Sequence, residues 1–354
     1  MESGGNVSAE VTAGVSGGSV GVLGTGSCLP EQRVGSAEVA NLLGVDPRWI
    51  AERIGVRERR FAAPGETASR LASGAALKAL EAAGVPAGEL DAVVAATSTP
   101  DRPIPGVAAR LQAEIGAHGS LAFDVNASCA GFLFALETGR GLLAADPDRR
   151  YVLVVASDTY SRYLNPADRR TYPLFGDGAG AVVLGRVPAG QGILTTELIT
   201  DGRMSEYATG GPPVATTPEE LAGGAHHIAM SGRDVAELVL AEFPRLVTDT
   251  VKEQGIEPAD LDHVICHQAN PRLLESCART VDLAPRQLVI TGDVVANTAS
   301  ASVPIGLDVA ARDGRIKPGD AVLLITFGAG MSWGRTFLRW PAAAGQTHRI
   351  KENA

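Results

Sequence analysis

Ala83-Gly84-Val85-Pro86-Ala87-Gly88-Glu89-Leu90-Asp91-Ala92-Val93-Val94 returns 171 residues later as Gln254-Gly255-Ile256-Glu257-Pro258-Ala259-Asp260-Leu261-Asp262-His263-Val264-Ile265. Each copy follows a long amphipathic pattern, Glu66–Ala83 in one and Gly232–Gln254 in the other, and leads into a strand-like run. Next comes a helix opened by a proline (Pro105, Pro271), then another strand, a small-residue-rich helix and a last hydrophobic strand. The offset is close to half of the 354-residue chain, so the sequence reads as two similar halves.

Working outward, the first half alternates regularly. Val20–Cys28 is β-like, Glu66–Gly84 helical, Leu90–Ser98 a strand, Pro105–Gly116 a helix, Leu121–Asn126 a strand, Ala130–Ala145 a helix and Tyr151–Ser157 a buried strand. That order implies a mainly parallel sheet covered by helices. The expected layout is a flexible tail over 1–18, halves over 19–186 and 187–342 packed about a pseudo-twofold axis, and a second tail over 343–354.

Composition excludes several classes. Hydrophobic residues make up 45% of the chain, too many for a disordered protein, and the 42 glycines have no every-third-residue period. The longest apolar runs, such as Ala321–Phe327, fall short of a membrane span, and no charged-then-apolar leader opens the chain. With 31 basic against 40 acidic residues the net charge is −9, which works against nucleic-acid binding. Cys28, Cys129, Cys266 and Cys277 form no CxxC pair or zinc spacing, so reduced thiols in a cytoplasmic protein are expected. Gly14-Val15-Ser16-Gly17-Gly18 matches GxSxG formally but lacks the strand and helix that motif needs.

In parallel sheets, ligands gather at the carboxyl ends of strands. There the first half holds Ala127-Ser128-Cys129-Ala130-Gly131, the second His267-Gln268-Ala269-Asn270 and Ala296-Asn297-Thr298-Ala299-Ser300. Cys129 stands between a strand and a helix N-terminus, which favours a lowered pKa and a nucleophilic thiolate over an inert core thiol. His267 follows the strand His263–Cys266, and Asn297 follows a further strand. Together they can donate to a developing oxyanion, although each type is also an ordinary structural residue or cap. Phe327-Gly328-Ala329-Gly330 suits either close backbone approach to a ligand or a tight hairpin. Gly176–Ala181 matches GxGxxA but precedes an apolar run, against a dinucleotide fingerprint.

Asp124–Phe132, His267–Asn270 and Asn297–Ser302 resemble the Cys-His-Asn set of the β-ketoacyl-ACP synthase III family. Phe175–Gly180 and Phe327–Gly334 resemble its other signatures, so the likeness runs from about Val20 to Pro341. It implies an α/β thiolase fold, two pseudo-symmetric halves in five αβαβα layers, working as a homodimer. The implied reaction is a ping-pong decarboxylating Claisen condensation without metal or redox cofactor. Cys129 would take an acyl group from acyl-CoA. His267 and Asn297 would stabilise the enolate from a malonyl-loaded acyl carrier protein, and the backbone N–H groups of Cys129 and Ala329 would form the oxyanion hole.

The likeness extends to binding. Asp46–Arg59 resembles the family's tryptophan–arginine segment, which implies Trp49 and Arg169 on the adenine and Arg53 on a CoA phosphate, with Gly232 and Arg233 at the pantetheine. Trp49 filling core beside solvated arginines is the alternative. Arg272 and Arg279 correspond to the carrier-protein docking helix. Ile104, Phe175 and Ala236 correspond to the acyl pocket, where Ile104 and Ala236 replace phenylalanines and imply a roomier site. Thr209–Gly224, rich in Gly, Pro and Thr, reads as a mobile loop near the substrate entrance. The other open reading is a thiolase-fold acyltransferase that moves the acyl group from Cys129 to a hydroxyl or amine; an intact Asn297 favours condensation.

Overall fold

The computed structural model describes residues 19–212 and 216–342; the expected tails and the Gly14–Gly18 match lie outside the described residues. The chain opens with β1 (Ser19–Cys28) and a short ladder of β2 (Arg33–Gly35) with β3 (Glu58–Arg60), which brackets α1 (Ser36–Leu43) and α2 (Pro47–Arg53). Then come α3 (Ala68–Ala83), β4 (Ala92–Ala96), α4 (Val107–Ile115), β5 (Leu121–Val125), α5 (Gly131–Ala145), β6 (Tyr151–Asp158) and β7 (Gly178–Val187). From Gly192 the order is β8 (Gly192–Thr200), β9 (Ala208–Thr209), α6 (Pro218–Ala222), β10 (Ala229–Met230), α7 (Gly232–Gln254), β11 (His263–Cys266) and α8 (Pro271–Thr280). It closes with α9 (Gly292–Val295), α10 (Ser302–Arg312), β12 (Ala321–Gly328) and β13 (Ser332–Arg339).

Two sheets carry the fold, ordered β1-β7-β6-β4-β5 and β11-β12-β13-β8. Only β4–β5, β4–β6 and β11–β12 pair in parallel; β1–β7, β6–β7, β12–β13 and β8–β13 are antiparallel. The mainly parallel sheet expected from the sequence is therefore mixed, because no crossover helix separates β6 from β7 or β12 from β13. The second half departs further. Where a strand was expected before Asn297, the chain makes one parallel bridge, Val264 to Leu288, and then the short helix α9.

Local chemistry explains where helices begin. Asn270 accepts hydrogen bonds from Arg272 N and Leu273 N, and Pro271 occupies the first turn of α8 as expected. Pro105 does not open α4, which starts at Val107. There the cap comes from across the sheet: Asp124 on β5 accepts from Val107 N at 2.8 Å and Ala108 N at 2.7 Å.

Three apolar cores define five layers. Phe132, Leu133 and Leu136 of α5 and Val303, Ile305 and Leu307 of α10 fill the space between the two sheets. Outside the first sheet lie α3 and α4, and outside the second lie α7 and α8. This is the αβαβα thiolase arrangement. Among the described residues no helix is long and apolar enough to cross a membrane.

Small residues set the layer spacing. The buried face of α3 is Ala72, Ala75, Ala76 and Ala79, and it packs against β1 at Gly24 and Gly26. A Cβ on Gly24 would stand 2.4 Å from Ala83 N and 2.5 Å from Ala79 O, both backbone atoms that cannot swing aside. Gly24→Ala is therefore expected to lower stability by about 3 kcal/mol through overpacking. Urea titration followed by circular dichroism checks this; a wild-type midpoint would refute the contact.

Candidate active site

Cys129 lies in a single 3-10 turn, Ser128–Ala130, that joins β5 to α5. Ser128 holds φ 48°, left-handed for a residue with a Cβ, a strain of about 1–3 kcal/mol that marks functional turns. The turn is braced by Ala130 N donating to Ala127 O at 3.0 Å, by Ser128 N to Asn126 Oδ1 at 3.2 Å, and by Thr326 Oγ1 to Cys129 O at 3.1 Å. Gly328 passes so close that a Cβ there would meet Ala130 N at 2.5 Å. No side chain caps α5, so its first N–H groups stay available beside the sulfur.

The repeat reproduces this turn. Ala299, 171 residues after Ser128, holds φ 50°, and Asn297, 171 after Asn126, accepts from Ala299 N at 2.9 Å on Oδ1. With Oδ1 so engaged, the amide N–H donors of Asn297 are what is left to face the cavity. Its backbone is pinned on both sides: Asn297 N donates to Leu174 O and Gly176 N to Asn297 O, both at 2.9 Å. His267 follows β11, held by its N–H on Ile325 O at 2.9 Å. Its ring is buried and Nδ1 has no protein partner.

Cys129, His267, Asn297, Ala329 and Phe175 line one cavity of about 410 Å³ between the halves. Phe327–Gly330 lines it too and is also the β12–β13 hairpin, so both readings of that stretch hold. Gly178–Ala181 lies on β7, and Gly180 lets Pro304 and Ile305 of α10 pack directly on that strand; it is no nucleotide loop.

The electrostatics overturn one expectation. Burial pushes the Cys129 thiol up to about 12, and the charge of Asp158 adds to the rise. The favourable backbone donor is outweighed, so the helix N-terminus does not make a standing thiolate. Burial also lowers His267 to about 4, against a hydrogen bond with the Ala299 backbone, so the imidazole is neutral at neutral pH.

Asp158, which the sequence reading passed over, closes the strand β6. Its Oδ1 accepts from Thr97 Oγ1, Ser98 N, Ser98 Oγ and Thr99 Oγ1, and its Oδ2 from Ser300 N and Ser300 Oγ. A lone acid ending an apolar strand, in Ser157-Asp158-Thr159-Tyr160, was the signal available. Ser98, Thr99 and Tyr160 also line the cavity and were likewise missed.

Other expected residues stand outside the cavity wall. Trp49 is half-buried and packs in the core of Val34, Val39 and Ile50, the alternative considered for it. Arg53 and Arg169 are exposed. Arg53 nonetheless sits by the His267 loop, its carbonyl accepting from Asn270 Nδ2 at 3.3 Å. Gly232 and Arg233 are exposed and off the wall; the Arg233 guanidinium pairs with Glu237 at 2.9 Å, one helical turn on. Ala236 is also off the wall: the phase of α7 turns Val235 and Val239 inward instead. Arg272 and Arg279 are exposed on α8, Arg272 paired with Glu275 at 3.0 Å. Ile104 is 84% exposed between β4 and α4 and touches no part of this chain's cavity.

Thr209–Gly224 is more built than its composition suggests. Thr209, Gly210 and Gly211 line the cavity, β9 pairs with β10, and Thr217 and Glu220 cap α6 reciprocally. Residues 213–215 lie outside the described residues.

Residues 123–202 match the family 3-Oxoacyl-[acyl-carrier-protein (ACP)] synthase III, and residues 251–340 match its C-terminal family. A β-ketoacyl-[acyl-carrier-protein] synthase III of Rhizorhabdus wittichii is 41% identical over 322 residues, covering 90% of this chain and 98% of the relative. The crystal structure of a 3-oxoacyl-(acyl carrier protein) synthase III from Pseudomonas aeruginosa superposes with a TM-score of 0.85 at 37% identity, covering 92% of this chain and 99% of its own. The priming β-ketosynthase of the R1128 polyketide biosynthetic pathway gives 0.87 at 31% identity, with 92% and 98% covered.

A buried thiol near 12 makes a checkable statement. Carbamidomethylation of Cys129 by iodoacetamide, followed by peptide mass spectrometry, should be slow at pH 7 and still accelerating at pH 10. A plateau below pH 8 would mean a depressed thiol instead.

Proposed function

Because the chain belongs to the β-ketoacyl-ACP synthase III family of thiolase-fold condensing enzymes, we propose that it joins an acyl-CoA starter to a malonyl-loaded acyl carrier protein, releasing CO2. The observation that carries this is one cavity lined by Cys129, a neutral His267 and the free amide donors of Asn297.

The first half-reaction transfers the acyl group. Cys129 is protonated at neutral pH, so attack on the thioester requires a base, and His267 is the one imidazole on the cavity wall. The proton passes from sulfur to His267 and on to the departing CoA thiolate, leaving acyl-Cys129. The carbonyl oxygen takes hydrogen bonds from Cys129 N–H and Ala329 N–H as it becomes negative. In the second half-reaction the malonyl thioester loses CO2, and the enolate oxygen is met by an imidazole N–H of His267 and by the Asn297 amide. The enolate carbon bonds the acyl carbon, and the Cys129 thiolate leaves and regains a proton from solvent.

Trp49, Arg53 and Arg169 would take the CoA end outside the cavity, and Arg272 and Arg279 the carrier protein. A second copy fits the first sheet. The strand β5 is an edge with one neighbour, and on it Leu121 is 47% and Phe123 38% exposed, near Ile104. Pairing two β5 edges would cover these residues and bring Ile104 to the partner, consistent with a homodimer.

Intact-protein mass spectrometry with a panel of acyl-CoA esters tests the reaction. The expected result is one acyl mass added to the wild type and none to Cys129→Ala, with CO2 released from a malonyl thioester only by the acylated wild type. Acyl transfer to a hydroxyl or amine without CO2 would replace this reading with the acyltransferase one. Light scattering on a sizing column tests the assembly: twice the chain mass for the wild type, one chain mass for Phe123→Lys. A monomeric wild type would refute it.

A further inference from the structure

We propose that Tyr160 and Ser98 make the cavity selective for a starter acyl group bearing a hydroxyl near its thioester, an inference that rests on the acyl-Cys129 reading above. Both residues line the same cavity as Cys129, and Ser98 Oγ and Tyr160 Oη lie 2.7 Å apart. Either hydroxyl alone could donate in that contact, but Asp158 fixes the direction. Ser98 has one hydroxyl proton, and Asp158 Oδ1 accepts it at 3.3 Å as one of the six donors directed at that carboxylate. Ser98 Oγ must then receive the Tyr160 proton. Tyr160 spends its only proton inward and shows the cavity lone pairs alone.

The position is rigid. The Tyr160 ring stacks on Phe175 with centroids 5.2 Å apart and planes 16° from parallel, and meets Tyr163 edge-on at 6.5 Å. Burial, then the charges of Cys129 and Asp158, hold the phenol well above its usual range, so it stays a neutral oxygen. The neighbouring wall is Phe175, Val235 and Val239, which offers a buried acceptor no other partner. An acyl hydroxyl satisfies that acceptor, whereas a methyl in its place leaves it unpaired in an apolar cavity.

The test compares isosteric esters on the full-length protein. Single-turnover acylation of Cys129, read by intact mass spectrometry, is measured for 3-hydroxybutyryl-CoA against isovaleryl-CoA. Lactyl-CoA against isobutyryl-CoA moves the hydroxyl one carbon closer. At least one pair should favour the hydroxyl by about tenfold in kcat/KM. Tyr160→Phe should bring that ratio to about one, and Ser98→Ala, which removes only the anchor, should reduce it less. A ratio near one for both pairs in the wild type, or an unaltered ratio in Tyr160→Phe, overturns the selectivity while leaving the acylation reading intact. Failure of every ester to acylate Cys129 overturns both.

Discussion

The Asp158 carboxylate is the interaction on which the rest of the site depends. It ends β6 in the first half, gathers Thr97, Ser98 and Thr99 from the loop after β4, and reaches Ser300 in the second half. A buried charge is tolerated only when donors surround it, so the two halves must close on it in one registry. That closure brings Asn297, three residues before Ser300, into the cavity that Cys129 lines. The same negative charge makes a resting thiolate unfavourable at Cys129. Storing the proton on sulfur and pairing it with a neutral imidazole is the chemical consequence.

Duplication supplies the geometry and divergence supplies the chemistry. Asn126 and Asn297, Ser128 and Ala299, and Cys129 and Ser300 each stand 171 residues apart. Both asparagines accept from the N–H two residues on, and both following turns go left-handed. Only one copy carries the thiol; its counterpart serine donates to Asp158 instead. One half offers a nucleophile, the other offers donors, and the pseudo-twofold packing faces them across one cavity.

Much of this was legible in order and type. The alternation around Leu90 and Leu261 gives two sheets with helices between and outside them, because hydrophobic period and strand length are local properties. Cys129, His267 and Asn297 stand out because residues just past strand ends have no ladder partner and are free for chemistry. The Pro105 helix start was misread since its cap, Asp124, comes from another strand. The strand before Asn297 was misread since α9 replaces it there.

The sequence by itself determined the repeat, the layer order and which three side chains could react, since periodicity and residue chemistry need no partners. Only the tertiary structure decided their ionisation, the facing of Val235 and Val239 rather than Ala236, and the Asp158 hub with its Tyr160–Ser98 branch. Burial and hydrogen bonds between residues 60 or 142 positions apart set those features. Neither a desolvation penalty nor a long-range donor count is written in any local pattern.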